Sequence, residues 1–136
     1  PGVTAAPADA IVDVDCDIWI PAARPDVVTM ANVDRLKAKL VLQGANIPMS
    51  VEAEESLHAR GVIVVPDFIA NAGGVICAAV EYRGGGESQA LQAIVDKVGA
   101  NTRDVLERAA RDSATPRAAA LAMARERVLH AMAWRR

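Results

Sequence analysis

Three short apolar runs organise the first half of the chain: Cys16-Asp17-Ile18-Trp19-Ile20, Lys39-Leu40-Val41-Leu42 and Val62-Ile63-Val64-Val65. They lack the apolar/polar alternation of a half-exposed strand, as expected for strands buried on both faces of a parallel sheet. Each run ends in a loop of small or Asn-containing residues: Pro21-Ala22-Ala23, Gly44-Ala45-Asn46, and the longer Pro66 to Gly74 stretch that includes Asn71. Ligands of open parallel sheets bind beyond the carboxyl ends of the strands. All three loops therefore fall on the predicted binding edge.

Between the strands the pattern turns helical. Thr29 to Ala38 predicts a short helix with Thr29 as N-cap, burying Val33, Leu36 and Met30. Ser50 predicts the cap of a second helix from about Val51 to Arg60, with Glu52, Glu54 and Glu55 complementing its positive N-terminus and Gly61 ending it. Strands about 22 residues apart with one helix between neighbours form a right-handed βαβαβ unit, half of a doubly wound sheet. Its second face needs further helices, and the tail predicts them.

From Asn71 a stripe of Val75, Ile76, Ala79 and Val80 runs to Gly84-Gly85-Gly86. Ser88 then predicts the cap of a long helix carrying Leu91, Ile94, Val95, Val98, Val105, Leu106 and Ala109, weakened at Gly99. Thr115-Pro116 marks another start, with Thr as N-cap and Pro at the first helical position. That helix carries Leu121, Met123, Val128, Leu129 and Met132 to terminal arginines that suit its negative end. The opening Pro1 to Pro7 stretch reads as a loop.

At 136 residues and 52% hydrophobic content the chain can bury a core of its own. A net charge of -2 with only three lysines gives no basic footprint and argues against nucleic acid. No apolar stretch reaches the roughly 20 residues of a membrane helix, so a soluble cytoplasmic protein is expected. Cys16 and Cys77 form no metal-ligand spacing and are expected as two buried thiols.

Few residues suggest chemistry. Asn71, before Gly73-Gly74, offers a donor and an acceptor that suit a carboxamide or carboxylate, and it suits a helix cap equally. Backbone N–H groups at that helix start can approach an anion or amide. Asn46 is either a turn residue or a polar group at a strand's carboxyl end. Arg83-Gly84-Gly85-Gly86-Glu87 follows a helix and lacks the P-loop's Gly-Lys-Ser/Thr ending, which makes it a connector. His58 and His130 read as solvated helix residues, and no general acid or base stands out.

The stretches CDIWIPAA (16–23), AKLVLQGANIP (38–48) and GVIVVPDFIANAGGV (61–75), in this order and spacing, resemble the coenzyme domain of the Glu/Leu/Phe/Val amino-acid dehydrogenase family, most closely its glutamate dehydrogenases. The likeness runs from about Ile11 to the end. It implies oxidative deamination of an L-amino acid, glutamate by closest likeness, to a 2-oxo acid and ammonia, with hydride passed to NAD or NADP. It also implies that the backbone at Ala22 and Ala23 lines the coenzyme site. Gly44, Ala45 and Asn46 would form the loop at the nicotinamide ribose, and Asn71 would lie beside nicotinamide and substrate. Seven residues past Asn71, glutamate dehydrogenases carry a Ser that touches the substrate carboxylate; here Ala78 is more similar to the branched-chain and aromatic members.

The family's catalytic Lys and Asp and its glycine fingerprint have no counterpart here. The resemblance therefore implies the C-terminal part of a dehydrogenase: residues 1–86 as the second half of the dinucleotide-binding domain and 87–136 as a C-terminal helical segment. Alone it is expected to be inactive, to bind coenzyme weakly and to self-associate, with the parent a homo-oligomer. The competing expectation is a stand-alone ligand-sensing or interaction module built on half of this fold.

Overall fold

Three parallel strands, β1 (Ile18–Trp19), β2 (Leu40–Leu42) and β3 (Ile63–Val65), hydrogen-bond in the order β1-β2-β3 in the computed structural model, which describes residues 5–134. The register pairs Ile18 with Leu40, then Leu40, Val41 and Leu42 with Ile63, Val64 and Val65. The α/β architecture read from the apolar runs is present, and the strands are shorter than those runs. Pro1 to Thr4 of the expected opening loop, and Arg135 and Arg136 of the expected Arg-rich helix end, lie outside the described residues.

β2 and the end of β3 are covered on both faces, whereas the burial expected of the first run is not realised: Ile18 and Ile20 are exposed, because β1 is an edge strand and only Trp19 packs against a core. On one face Val41, Val64, Val28, Val33, Leu36, Met49, Ala53 and Leu57 form a core with helix α1 (Val51–Ala59). Ser50 caps α1, its Oγ accepting from the Ala53 N–H at 3.2 Å, and Gly61 turns the chain away at φ +81°, where a side chain would be strained. On the other face Val65, Ile69 and the half-buried Leu40 and Leu42 meet Val105, Ala109, Ala119, Ala120 and Met123. Those partners come from two long helices, α4 (Glu87–Asp112) and α5 (Pro116–Ala133), after a single-turn α2 (Asp67–Ala70) and α3 (Gly73–Tyr82). Thr115 caps α5 as expected, accepting from the Ala118 N–H at 3.2 Å with Pro116 at the first position.

Several expectations need correction. Thr29 to Ala38 forms only a 3-10 turn at Val33–Arg35. Asn32 explains this, because its side chain accepts the Thr29 N–H at 2.9 Å and donates to the Val27 carbonyl at 2.9 Å, competing with a helical ladder. Val33 and Leu36 are buried nonetheless, whereas Met30 is exposed. The N-cap of α4 is Gly86, whose N–H is held by the Gln89 side chain at 3.0 Å, so Ser88 lies inside the helix, which runs unbroken through Gly99.

The apolar stripe of α3 is not a core face: no residue of α3 is buried, and Val75 is 78% exposed. The helix packs chiefly along α4 among the described residues. Leu91 and Val95 of α4, and Leu121, Val128, Leu129 and Met132 of α5, are likewise exposed, leaving Met123 as the buried member of the α5 set. Cys16 and Cys77 are free and half-buried, because Cys16 precedes β1 at the core margin and Cys77 lies on the uncovered α3.

Candidate functional site

The three loops meet at the carboxyl edge of the sheet. The Ala45 N–H donates to the Pro21 carbonyl at 2.8 Å, and Gln43, the first residue after β2, donates to the Val65 carbonyl at 3.2 Å. Gly44 is required by this closeness, since a Cβ there would come within 2.9 Å of the Ala22 Cβ and 3.4 Å of Ile20 Cγ2. An open pocket of about 450 Å³ adjoins this contact, bounded by Ile20, Leu42, Gly44, Val65 and Ala70 below and by Val98, Gly99 and Thr102 of α4 above.

Asn46 and Asn71, 25 residues apart in sequence, are joined side chain to side chain: Asn71 Nδ2 donates to Asn46 Oδ1 at 2.7 Å. Asn46 Nδ2 and Asn71 Oδ1 have no hydrogen-bond partner among the described residues. The pair therefore offers donors and an acceptor side by side, a neutral set suited to hydroxyl and carboxamide groups rather than to a metal. Of the two readings open for Asn71, the cap of the following helix is not realised: α3 starts after Ala72 with no side-chain cap, and Asn71 instead closes α2 as its C-cap, its N–H on the Asp67 carbonyl. Ala22 and Ala23 are exposed beside this edge, Ala45 is half-buried, and Ala78 is exposed on α3.

The turn that carries Asn46 is strained. Ile47 has φ +49°, a left-handed conformation unfavourable for a β-branched residue and of order 1–3 kcal/mol in cost. It is also 63% exposed, so burial does not explain it. Backbone bonds hold it from one side: the Asp26 N–H donates to the Ile47 carbonyl at 3.0 Å, and Val27 and Val28 donate to the Pro48 carbonyl at 2.8 and 3.0 Å. From the other side Asp67 Oδ2 accepts the Ile47 N–H at 2.9 Å.

Behind the edge lies a buried ionic cluster, which the sequence reading missed. Arg117, in the first turn of α5, donates through Nε to both oxygens of Glu54 (2.9 and 2.8 Å) and through Nη2 to Glu54 Oε1 (2.7 Å), Asp67 Oδ1 (3.0 Å) and Gln43 Oε1 (3.2 Å). Gln43, fully buried, donates to Glu54 Oε1 at 2.7 Å and accepts the Asp67 N–H at 3.3 Å. The Arg117 guanidinium lies 5.4 Å from the centre of the Phe68 ring. Burial opposes ionisation of Asp67, but the Ile47 N–H, then Arg117 and the Phe68 N–H outweigh it and lower its pKa. The hydrogen bonds to Glu54 raise the Arg117 pKa against desolvation, with Asp67 adding to the effect. A signal was present: a cation in the first turn of a helix opposes the dipole, and Glu54 falls between the inward-facing Ala53 and Leu57.

The sequence profile of the Glutamate/Leucine/Phenylalanine/Valine dehydrogenase family matches residues 2–136. The chain belongs to this family. Among its relatives, the NADP-specific glutamate dehydrogenase of Saccharolobus shibatae is 37% identical over 132 residues, covering 91% of this chain and 31% of the relative. The glutamate dehydrogenase of Aeropyrum pernix is 42% identical over 102 residues, 71% of this chain and 24% of the relative. The chain thus spans less than a third of the length of either. Among solved structures, L-tryptophan dehydrogenase from Nostoc punctiforme superposes with a TM-score of 0.82 at 25% identity, over 90% of this chain and 37% of that one. The hetero-hexameric glutamate dehydrogenase of Thermus thermophilus, at 24% identity and a TM-score of 0.81, shares the fold over 94% of this chain and 32% of that one.

The family resemblance read from the three motifs is thereby established, and the motifs coincide with the loops that converge at the edge. A nicotinamide coenzyme, which the family implies, is compatible with the residues present. Gly44 leaves room for backbone approach at Ala22, and the Asn46–Asn71 pair presents uncommitted neutral polar groups.

Proposed function

We propose that this chain supplies the second half of the coenzyme domain and the C-terminal helices to an NAD(P)-dependent amino-acid dehydrogenase acting on an L-amino acid, glutamate by closest likeness. In this reading residues 1–86 belong to the dinucleotide-binding unit and residues 87–136 form the helical segment behind it. The observation that carries the proposal is the convergence of Asn46 and Asn71, 2.7 Å apart, at the carboxyl edge of a parallel sheet in a member of this family.

The backbone at Ala22, Ala23, Gly44 and Ala45 would border the coenzyme, Asn46 would donate to a ribose hydroxyl, and Asn71 would orient the carboxamide and the substrate beside it. The bound nicotinamide supplies the hydride chemistry. The protein's own part on this edge is to bind and orient, since no group placed here is poised to move a proton. Ala78, exposed on α3, would face the substrate side chain and favour an apolar one locally. The free thiols of Cys16 and Cys77 agree with a cytoplasmic parent, and the parent is proposed to be a homo-oligomer.

The deciding experiment is amino-acid-dependent reduction of NAD or NADP by the full-length protein that carries these residues. Turnover with glutamate, leucine, valine, phenylalanine or tryptophan is expected from the full-length protein and none from the 136-residue chain alone. Failure of the full-length protein to reduce either coenzyme with all five would overturn the proposal, and turnover by the isolated chain would overturn its division of labour.

A further inference from the structure

We propose that Arg117 is a positioning residue for the candidate coenzyme edge, holding the Asn46–Ile47 turn through Asp67. The inference rests on the reading that Asn46 and Asn71 face the coenzyme, and it adds a residue of α5, behind the edge, to that site. Asp67 is the pivot. Its Oδ2 accepts the N–H of Ile47, next to Asn46, and its backbone carbonyl accepts the N–H of Asn71 at 2.8 Å. One residue therefore places both amides, by its side chain on one loop and by its backbone on the other.

Asp67 is 8% exposed and could not remain ionised there without compensation. Arg117 supplies part of it beside the N–H groups of Ile47 and Phe68, donating Nη2 to Asp67 Oδ1 at 3.0 Å while Nε and Nη2 also hold Glu54. Nη2 alone reaches both carboxylates, at 2.7 Å from Glu54 Oε1 and 3.0 Å from Asp67 Oδ1, and the planar guanidinium adds the Nε–H to Glu54, a donor set that a lysine ammonium reproduces only in part. Gln43 ties the same arrangement to the loop from beneath, accepting the Asp67 N–H with the side chain of the residue that precedes Gly44. A cation needed only to fasten α5 to α1 would be satisfied by Glu54. The further bond of Nη2, to the aspartate that grips a strained turn, is what a purely structural clamp leaves unexplained.

The test uses Arg117→Met, Arg117→Lys and Asp67→Asn in the full-length protein, below their unfolding temperatures, with two readouts. In amide hydrogen exchange, Ile47 should lose about tenfold or more of its protection in Arg117→Met relative to Val105 in the middle of α4, and less in Arg117→Lys. Asp67→Asn should give the same local loss if Arg117→Met proves too unstable to hold. In kinetics, Arg117→Met should lower kcat/KM for the coenzyme about tenfold, but less than about threefold once Asn46 is already Ala, because both changes act through one turn. Unchanged relative protection at Ile47, or losses that multiply in the double variant, would reduce Arg117 to a structural clamp. A wild-type protein without dehydrogenase activity would sink the functional reading instead, while the exchange at Ile47 would still decide whether Arg117 holds the turn.

Discussion

Replacing Arg117 by Met should destabilise the protein by about 3–5 kcal/mol at neutral pH. The substitution keeps most of the side-chain volume and removes the only cation in the cluster among the described residues. Five N–H···O contacts disappear, and the side chains of Glu54 and Asp67, 4% and 11% exposed, are left as two buried carboxylates. Loss of the Phe68 contact adds at most about 1 kcal/mol, because that ring is partly solvated. At about 3–4 °C per kcal/mol for a chain of this size, the melting point should fall by about 10–20 °C.

The pH dependence makes the prediction specific. In the wild type the Asp67 pKa is lowered, so its contribution is fully present above the unfolded value near 3.8 and is lost as pH falls through the lower folded value. In the variant Asp67 loses the Arg117 contribution to its lowered pKa but keeps the burial that opposes ionisation, so it takes up its proton at a higher pH than in the wild type and acidification relieves the penalty. Urea unfolding should therefore show a wild-type to variant gap that is largest near pH 7 and narrows towards pH 4, with unchanged m. Glu54→Gln on the Arg117→Met background should recover part of the loss, since it removes one of the two stranded charges. A gap below about 1 kcal/mol at pH 7, or one that widens on acidification, would mean that the cluster is not a compensated set of buried charges.

Gly44→Val should cost about 1–3 kcal/mol in urea unfolding, because its Cβ would meet the Ala22 Cβ at 2.9 Å; a neutral result would show that the two loops part easily. Ser50→Ala and Thr115→Ala should each cost about 1 kcal/mol in the same assay through the loss of a helix N-cap. The isolated chain should self-associate in light scattering, since Ile18 in edge strand β1 and Ile20 just after it are exposed and no residue of α3 is buried; a clean monomer at high concentration would refute this. In the full-length protein, if the proposed activity holds, Ala78→Ser should shift kcat/KM towards glutamate over leucine by on the order of ten- to a hundredfold, the value of one charge-assisted hydrogen bond, and an unchanged ratio would refute the proposed placement of Ala78 at the substrate.

What could be read from the chain followed how far each signal is local. The central strand was legible because burial on both faces writes a continuous apolar run: in β2 Val41 enters one core while Leu40 and Leu42 pack against the other, whereas β1 carries the same kind of run with Ile18 exposed. Ser50 and Thr115 were legible because a cap needs only its own first turn. The helix expected after Thr29 failed on a local competitor, the Asn32 side chain, which binds backbone on both sides of itself. The stripe on α3 failed differently. Periodicity identifies an apolar face but carries nothing about what covers it, and among the described residues nothing covers Val75.

The ionic cluster escaped because each member has an ordinary reading when taken alone: Glu54 as a dipole complement, Asp67 as a turn residue, Gln43 as the polar end of a strand, Arg117 as a surface cation. Only its three-dimensional assembly shows why such residues sit where an apolar set would serve stability better. Replacing Glu54, Asp67 and Arg117 together by apolar side chains of similar volume would remove the desolvation cost and could still fasten α5 to α1. No apolar side chain, however, can accept the Ile47 N–H, and that turn would relax from its left-handed conformation towards one that no longer holds Asn46 against Asn71. On the proposed reading, the position of the cluster directly behind the edge couples a stability cost to a geometric gain, since the two amides are only as well placed as the shell that supports them.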